Sequence, residues 1–156
     1  MNEKPTILLV DDNENDLFLL RRAFAKAASD LPLQEVHNGV EALAYLSGAH
    51  PYSDRKQFPL PAVMLLDLNM PKGNGFDLLT QVRSQAGLRR LAVIVLTSSA
   101  LTEDIERALD CGASAYLVKP SSFETLVAMI RSLRDWIEIN HFPSLTVECA
   151  AESRSA

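Results

Sequence analysis

The chain has almost no cysteine: two in 156 residues, Cys111 and Cys149, far apart and in neither a C-x-x-C nor a Cys/His spacing. That excludes a disulfide framework and a thiolate metal site, and both are read as ordinary thiols. No apolar run is longer than a strand, far below the ~18 residues that mark a membrane-spanning helix. Positive charge is in deficit, with Lys+Arg 15 against Asp+Glu 20 and a net charge of −5. Nonspecific nucleic-acid binding needs a basic face to displace phosphate counterions, so a protein partner is expected rather than DNA. The opening "MNEKPTILLVDD" runs five apolar residues straight into two acids. It lacks the apolar core and cleavage site of a signal peptide, and the expected compartment is the cytoplasm. Internal repeats and low-complexity tracts are also missing.

What is present reads as one globular domain, with 47% apolar and 22% charged residues. Pure apolar runs alternate with stretches of helical period, the pattern of a parallel sheet covered on both faces. The strand candidates are "TILLV" (6–10), "LQEV" (33–36), "AVMLL" (62–66), "AVIVL" (92–96) and "AYLV" (115–118). Between them Leu17, Leu20, Phe24 and Ala27 recur at helical spacing, as do Leu43 and Leu46, then Leu78, Leu79 and Val82, then Leu101, Ile105, Ala108 and Leu109. A last helix is expected over 123–140, opened by the capping box Ser121-x-x-Glu124 and carrying Phe123, Leu126, Val127, Ile130, Leu133 and Ile137 on one side. Gly112 is the expected left-handed residue after the fourth helix. The fold class is therefore α/β, a (βα)5 doubly wound parallel sheet. Residues 1–142 form the domain. The stretch 47–61, with three prolines, reads as a long surface loop, and the tail 143–156 as a segment that frays.

In an open parallel sheet, ligands bind beyond the carboxyl ends of the strands. Four apolar runs end there on a reactive group: the first on Asp11-Asp12, the third on Asp67, the fourth on Thr97 and the fifth on Lys119. Singly each has a plain explanation, since acids and hydroxyls after strands often cap the next helix and a terminal lysine is often only solvated. Together they put three carboxylates, a hydroxyl and an ammonium on one edge. Three close carboxylates repel unless a hard cation sits among them, and Mg2+ takes oxygen ligands together with a phosphate. With negative charge so neutralised, Asp67 becomes a nucleophile toward phosphorus, and Lys119 and Thr97 hold the phosphoryl oxygens.

The stretches "ILLVDDNENDLFLLRRAF", "LLDLNMPKGNGFDLL", "VIVLTSS" and "GASAYLVKP" resemble, in order and separation, the receiver domain of two-component response regulators. The likeness covers about residues 5 to 140. It implies the flavodoxin-like, CheY-like strand order 2-1-3-4-5 and a phosphorylated switch rather than an enzyme with a separate substrate. Asp67 is then the phosphoacceptor, served by a sensor histidine kinase or phosphotransfer protein. Asp12 and Asp67 would supply carboxylates to Mg2+, Asp11 would reach it through water, and Asn69 would offer its backbone carbonyl. Thr97 and Lys119 match the phosphate contacts, Lys119-Pro120 the cis peptide, and Tyr116 the switch aromatic, whose plain alternative is a half-exposed strand residue. Asn69 and Ser99 match positions that tune hydrolysis of the phosphoryl group. Output is expected through the face of helix 4, strand 5 and helix 5.

A narrower likeness, resting on the 47–61 loop and the end "RDWIEINHFPSL", is to single-domain regulators that partner phytochrome-type and related histidine kinases. On the last helix Met129, Leu133 and Trp136 form a second apolar stripe, followed by Phe142 and Leu145. It reads either as a homodimer or kinase-docking face, or as an indole that covers the helix end or receives the returning tail. Three other functions are weighed. A haloacid-dehalogenase-type phosphohydrolase needs an Asp two residues after its nucleophile on the first strand, where Asn13 stands here. A flavodoxin-like flavin carrier is opposed by the acids of the first loop. A receiver-like scaffold that never takes phosphate is left to experiment.

Overall fold

A computed structural model of the chain describes residues 4–70, 74–145 and 147. Ten elements alternate along it: β1 (Ile7–Val10), α1 (Glu14–Ala27), β2 (Leu33–Val36), α2 (Gly39–Ser47), β3 (Val63–Leu66), α3 (Gly75–Ser84), β4 (Ala92–Thr97), α4 (Thr102–Asp110), β5 (Ala115–Val118) and α5 (Phe123–Ile139). The strands make one parallel sheet in the order β2-β1-β3-β4-β5, as expected for a doubly wound (βα)5 fold. Pro71, Lys72 and Gly73 of the stretch "LLDLNMPKGNGFDLL" and Cys149 lie outside the described residues.

The unbroken apolar runs follow from burial on both faces of the sheet. Successive strand side chains point to opposite sides. Ile7, Leu9, Val63, Leu65, Ile94 and Leu96 meet α1 and α5, which pack on each other. Leu8, Val10, Met64, Leu66 and Val93 meet α2 and α3 on the other side. Helix starts follow the amides: Asn13 accepts from Asp16 N at 3.1 Å, Asn38 from Glu41 N at 2.8 Å and Asn74 from Phe76 N at 2.8 Å. Gly112 takes the expected positive φ, +107°, just beyond α4.

Several expectations are corrected. The capping box at Ser121 does not form: Ser122 is the cap, accepting from Thr125 N at 3.2 Å and donating to Glu124 at 3.0 Å. Helix α4 is not anchored by a four-residue stripe. Leu101 precedes it and is exposed, Leu109 is exposed, and Ala108 is its one buried residue, set against Leu68, Phe76 and Val95. The helix is short and touches the sheet over a narrow strip, which leaves those leucines outside. On α5, Leu133 is buried in the core with Ile130 and Ile137 and also lines the groove that Met129 and Trp136 border. From the tail, Leu145 and Val147 pack against the α2–α3 side of the core.

The 47–61 loop has little regular structure but is closely built. Tyr45, Tyr52 and Phe58 form an aromatic cluster with ring centroids 5.2, 5.9 and 5.1 Å apart. Tyr45 donates to the Pro59 carbonyl at 2.7 Å. Arg55 donates to the carbonyls of Tyr45, Leu46 and Phe58, tying the end of α2 to the loop.

Candidate functional site

Backbone pairing brings the site together. The sheet places Val10 beside Leu66, so the acids that follow them, Asp11 and Asp67, emerge on neighbouring strands. Asp67 N donates to Val10 O at 2.9 Å, Asp11 N to Val36 O at 3.2 Å, and Lys119 N to Thr97 O at 2.8 Å. The loop after β3 is held close to the start of α3 by Gly75. A Cβ there would stand 2.6 Å from Leu68 Cα and 2.8 Å from the Asp67 carbonyl oxygen, both backbone atoms.

Asp11 and Asp67 are buried, Asp12 is exposed, and one oxygen from each lies within 4.8 Å of the others. Lys119 closes the cluster from β5: its ammonium donates to Asp11 and Asp16 at 2.8 Å each and stands 3.6 Å from Asp67 Oδ2. Asp11 also accepts from Asn13 N at 2.9 Å. Burial pushes the Asp11 carboxyl above its ordinary range, against the opposing pull of Lys119. Burial would lower the Lys119 ammonium, but its hydrogen bonds to Asp11 and Asp16 prevail and hold it above the usual lysine value. Both partners of this ion pair therefore shift upward, since Asp11 is nearly sealed from water and Lys119 answers to several acids at once.

Thr97 is fully buried at the end of β4 and receives a long 3.4 Å contact from the Asn69 amide, whose backbone N–H reaches Asp67 Oδ1 at 3.3 Å. Ser99 is half-buried, and its hydroxyl donates to Asp104 on α4. Tyr116 is half-buried, with its hydroxyl on the Ser99 carbonyl at 2.8 Å. All the expected site residues at the strand ends thus share one edge. The Lys119–Pro120 bond is trans, contrary to expectation, and the cis bond among the described residues is His50–Pro51. Trans is the form an X-Pro amide favours by about 0.5–1 kcal/mol when nothing compels the other.

Three carboxylate donors, one open to solvent, suit a hard cation with oxygen ligands and a partly aqueous shell. A single ammonium leaves the cluster with excess negative charge, so the donor set fits such an ion. Asp16 is the site residue that sequence reading missed. Its local signal, an acid three residues after the cap Asn13, announces only a helix start, and its partner Lys119 lies 103 residues away.

Away from this cluster, Met129, Leu133 and Trp136 line an open groove of about 610 Å3 between β5 and α5, together with Ala115 and Leu117. The Trp136 indole meets the Phe142 ring edge to face at 5.7 Å, so the chain leaving α5 does return onto it. One side of the indole is covered in this way and the rest borders the groove.

The fold and site define an α/β domain with an acid-and-lysine pocket at the switch point of an open parallel sheet. The family described as "Response regulator receiver domain" matches residues 7–131. The probable methanogenesis regulatory protein FilR2 of Methanothrix harundinacea is 36% identical over 88% of this chain and 86% of its own length. Among solved structures, response regulator RPA3017 in red light signaling of R. palustris is 36% identical, with a TM-score of 0.85 over 90% of this chain and 99% of that one. The phosphorylated cyanobacterial phytochrome response regulator RcpA is 30% identical, with a TM-score of 0.82 over the same shares. The chain belongs to the response regulator receiver domain family. It is a two-component signalling protein, and receiver domains of this kind act as switches that bind a divalent metal and take phosphoryl groups from histidine kinases. Among the described residues no helix is long and apolar enough to cross a membrane.

Proposed function

We propose that Asp67 is the phosphoacceptor and that Mg2+ is the metal, held by the carboxylates of Asp12 and Asp67, by Asp11 through water, and by the Asn69 carbonyl. The observation that carries this reading is the position of Asp67: buried, beside two further acids and 3.6 Å from the Lys119 ammonium. The phosphorus–nitrogen bond of a phosphohistidine breaks with its electron pair remaining on the imidazole, and a bond forms from Asp67 Oδ to phosphorus. The cation supplies charge neutralisation for the transferring group. Lys119 offers a point charge and Thr97 a hydroxyl to the phosphoryl oxygens, so that Asp67 acquires the group in a pocket already furnished with donors. Asn69, bonded to Asp67 and close to Thr97, and Ser99, two residues after Thr97, are read as the residues that tune the lifetime of the phosphoryl group.

The signal leaves through α4, β5 and α5. Tyr116 joins β5 to the loop after Thr97 by its bond to Ser99, which favours this face as the output. The groove beside Trp136 is read as the contact for a second copy of the chain. The donor is read as a phytochrome-type or related histidine kinase in the cytoplasm, a reading supported by the likeness to RcpA and RPA3017. The chain's chemistry is confined to its own phosphorylation and dephosphorylation.

Beryllofluoride with Mg2+, followed by calorimetry, tests this reading. Binding that requires Mg2+ and vanishes in Asp67→Asn is expected. Absence of binding by the parent chain would favour a scaffold that never takes phosphate.

A further inference from the structure

Lys119 is the one cation facing the Asp11, Asp12 and Asp67 cluster among the ion pairs of the described residues, and two acids of different standing hold it. Asp11 belongs to the metal-competent group. Asp16 does not: it sits in the first turn of α1, 35% exposed at its side chain, and its Oδ2 lies 2.8 Å from Lys119 Nζ. An ammonium has three N–H donors. Two are committed at 2.8 Å, to Asp11 and Asp16, and the nearest further acid is Asp67, at 3.6 Å, beyond hydrogen-bond range.

We propose that Asp16 is a positioning residue for phosphoryl capture: with Asp11 it orients Lys119 so that the third N–H is left for an oxygen carried by Asp67. The inference rests on the reading of Asp67 as phosphoacceptor and extends it to a residue on α1. A lysine stem has four rotatable bonds, and fixing its head by a single acid would leave the ammonium free to swing about that contact. Two acids, Asp11 just after β1 and Asp16 in α1, fix it from two directions. Asp11 is also claimed by the metal-competent cluster. Asp16 is not, and so it is the anchor that stays in place whatever Asp11 does. Asp16 acts through Lys119 and touches no reacting atom.

A merely structural role is the alternative, since an acid in the first turn of a helix is favourable in itself. The two roles separate in a double-mutant cycle. Beryllofluoride affinity in the presence of Mg2+ is measured for the full chain and for Asp16→Ala, Asp16→Asn, Lys119→Ala and the Asp16→Ala/Lys119→Ala pair. Asp16→Ala is expected to weaken binding ~3- to 10-fold, the worth of one hydrogen bond to a partly exposed charge. Asp16→Asn keeps an acceptor oxygen and is expected to recover most of that loss. In the Lys119→Ala background the Asp16 substitution is expected to have no further effect. Unchanged affinity in Asp16→Ala, or an equal loss with and without Lys119, would overturn the proposal. Asp16→Leu, close in size to aspartate but without an acceptor, carries the same comparison with and without Lys119 if the alanine variant fails to fold. A parent chain that binds no beryllofluoride would overturn the phosphoacceptor reading and this one with it; binding by the parent with an indifferent Asp16 would overturn this one alone.

Discussion

The Tyr116 hydroxyl donates to the Ser99 carbonyl at 2.8 Å, tying β5 to the loop that follows Thr97. The same loop is pinned a second time, because the Ser99 hydroxyl donates to Asp104 on α4 and accepts from Leu101 N at 3.3 Å. One residue therefore joins the end of β4, the start of α4 and the middle of β5. A displacement of Thr97, two residues before Ser99, is expected to reach all three. In Tyr116→Phe the fold is expected to lose about 1 kcal/mol, the net worth of a typical hydrogen bond. Beryllofluoride should still bind, but hydrogen-exchange changes on α4 and β5 should shrink. Full-sized changes would show that the signal travels by another route.

Gly75 carries the second prediction. Its missing side chain allows α3 to start against the backbone of Leu68 and Asp67. Gly75→Ala is expected to cost about 1–3 kcal/mol, the usual penalty of forcing atoms into a filled space. Since the atoms that must yield belong to the loop that carries Asp67, affinity for beryllofluoride should fall as well. Urea denaturation and calorimetry on the same preparation check both. Stability lost without any loss of affinity would show that the loop gives way elsewhere.

The third concerns alkaline pH. Burial pushes the Tyr45 hydroxyl up to about 12, from an ordinary value of 10.0. The folded state holds this proton more tightly than the unfolded state, so the stabilisation is complete below pH 10 and is lost as the pH rises toward 12. With each pKa unit worth roughly 1.4 kcal/mol, the loss attributable to Tyr45 approaches ~3 kcal/mol. Tyr45→Phe should be less stable than the parent at pH 8, because the bond to Pro59 is gone, and should decline less steeply between pH 10 and 12. Parallel declines would assign the alkaline sensitivity to other groups.

Trp136 tests the association surface. The indole borders an apolar groove and is partly covered by Phe142. Light scattering is expected to give a dimer mass for the parent and a lower mass for Trp136→Ala at the same concentration. An unchanged mass would remove this ring from any interface and leave it the role of covering the end of α5.

Much of the fold was legible because burial on both faces writes strands as unbroken apolar runs, as in Ile7–Val10 and Val63–Leu66. The gathering of Asp11, Asp67, Thr97 and Lys119 on one edge was legible because each stands where such a run ends. Legibility failed where partners are remote or packing is slight. Asp16 acts through Lys119, on the far side of the chain in sequence. Arg55 works by three backbone carbonyls, which carry no side-chain signature. Leu101 and Leu109 keep helical spacing on a helix that touches the sheet through Ala108, so periodicity overstated their burial. Ser121 and Ser122 are adjacent hydroxyls, and only the geometry of the turn decides which caps α5. The pairing of Trp136 with Phe142 depends on how the chain turns after Ile139, which no local pattern specifies.

The central claim is that Asp67 takes the phosphoryl group. It is tested most directly by incubating the chain with a phosphorylated histidine kinase or acetyl phosphate and Mg2+, reducing the product with borohydride, and mapping the peptides by mass spectrometry. An acyl phosphate is converted by this reduction to the alcohol, so homoserine is predicted at position 67, dependent on Mg2+ and absent from untreated chain. Phosphoryl uptake that maps to any other residue, or persists undiminished in Asp67→Asn, would contradict the account.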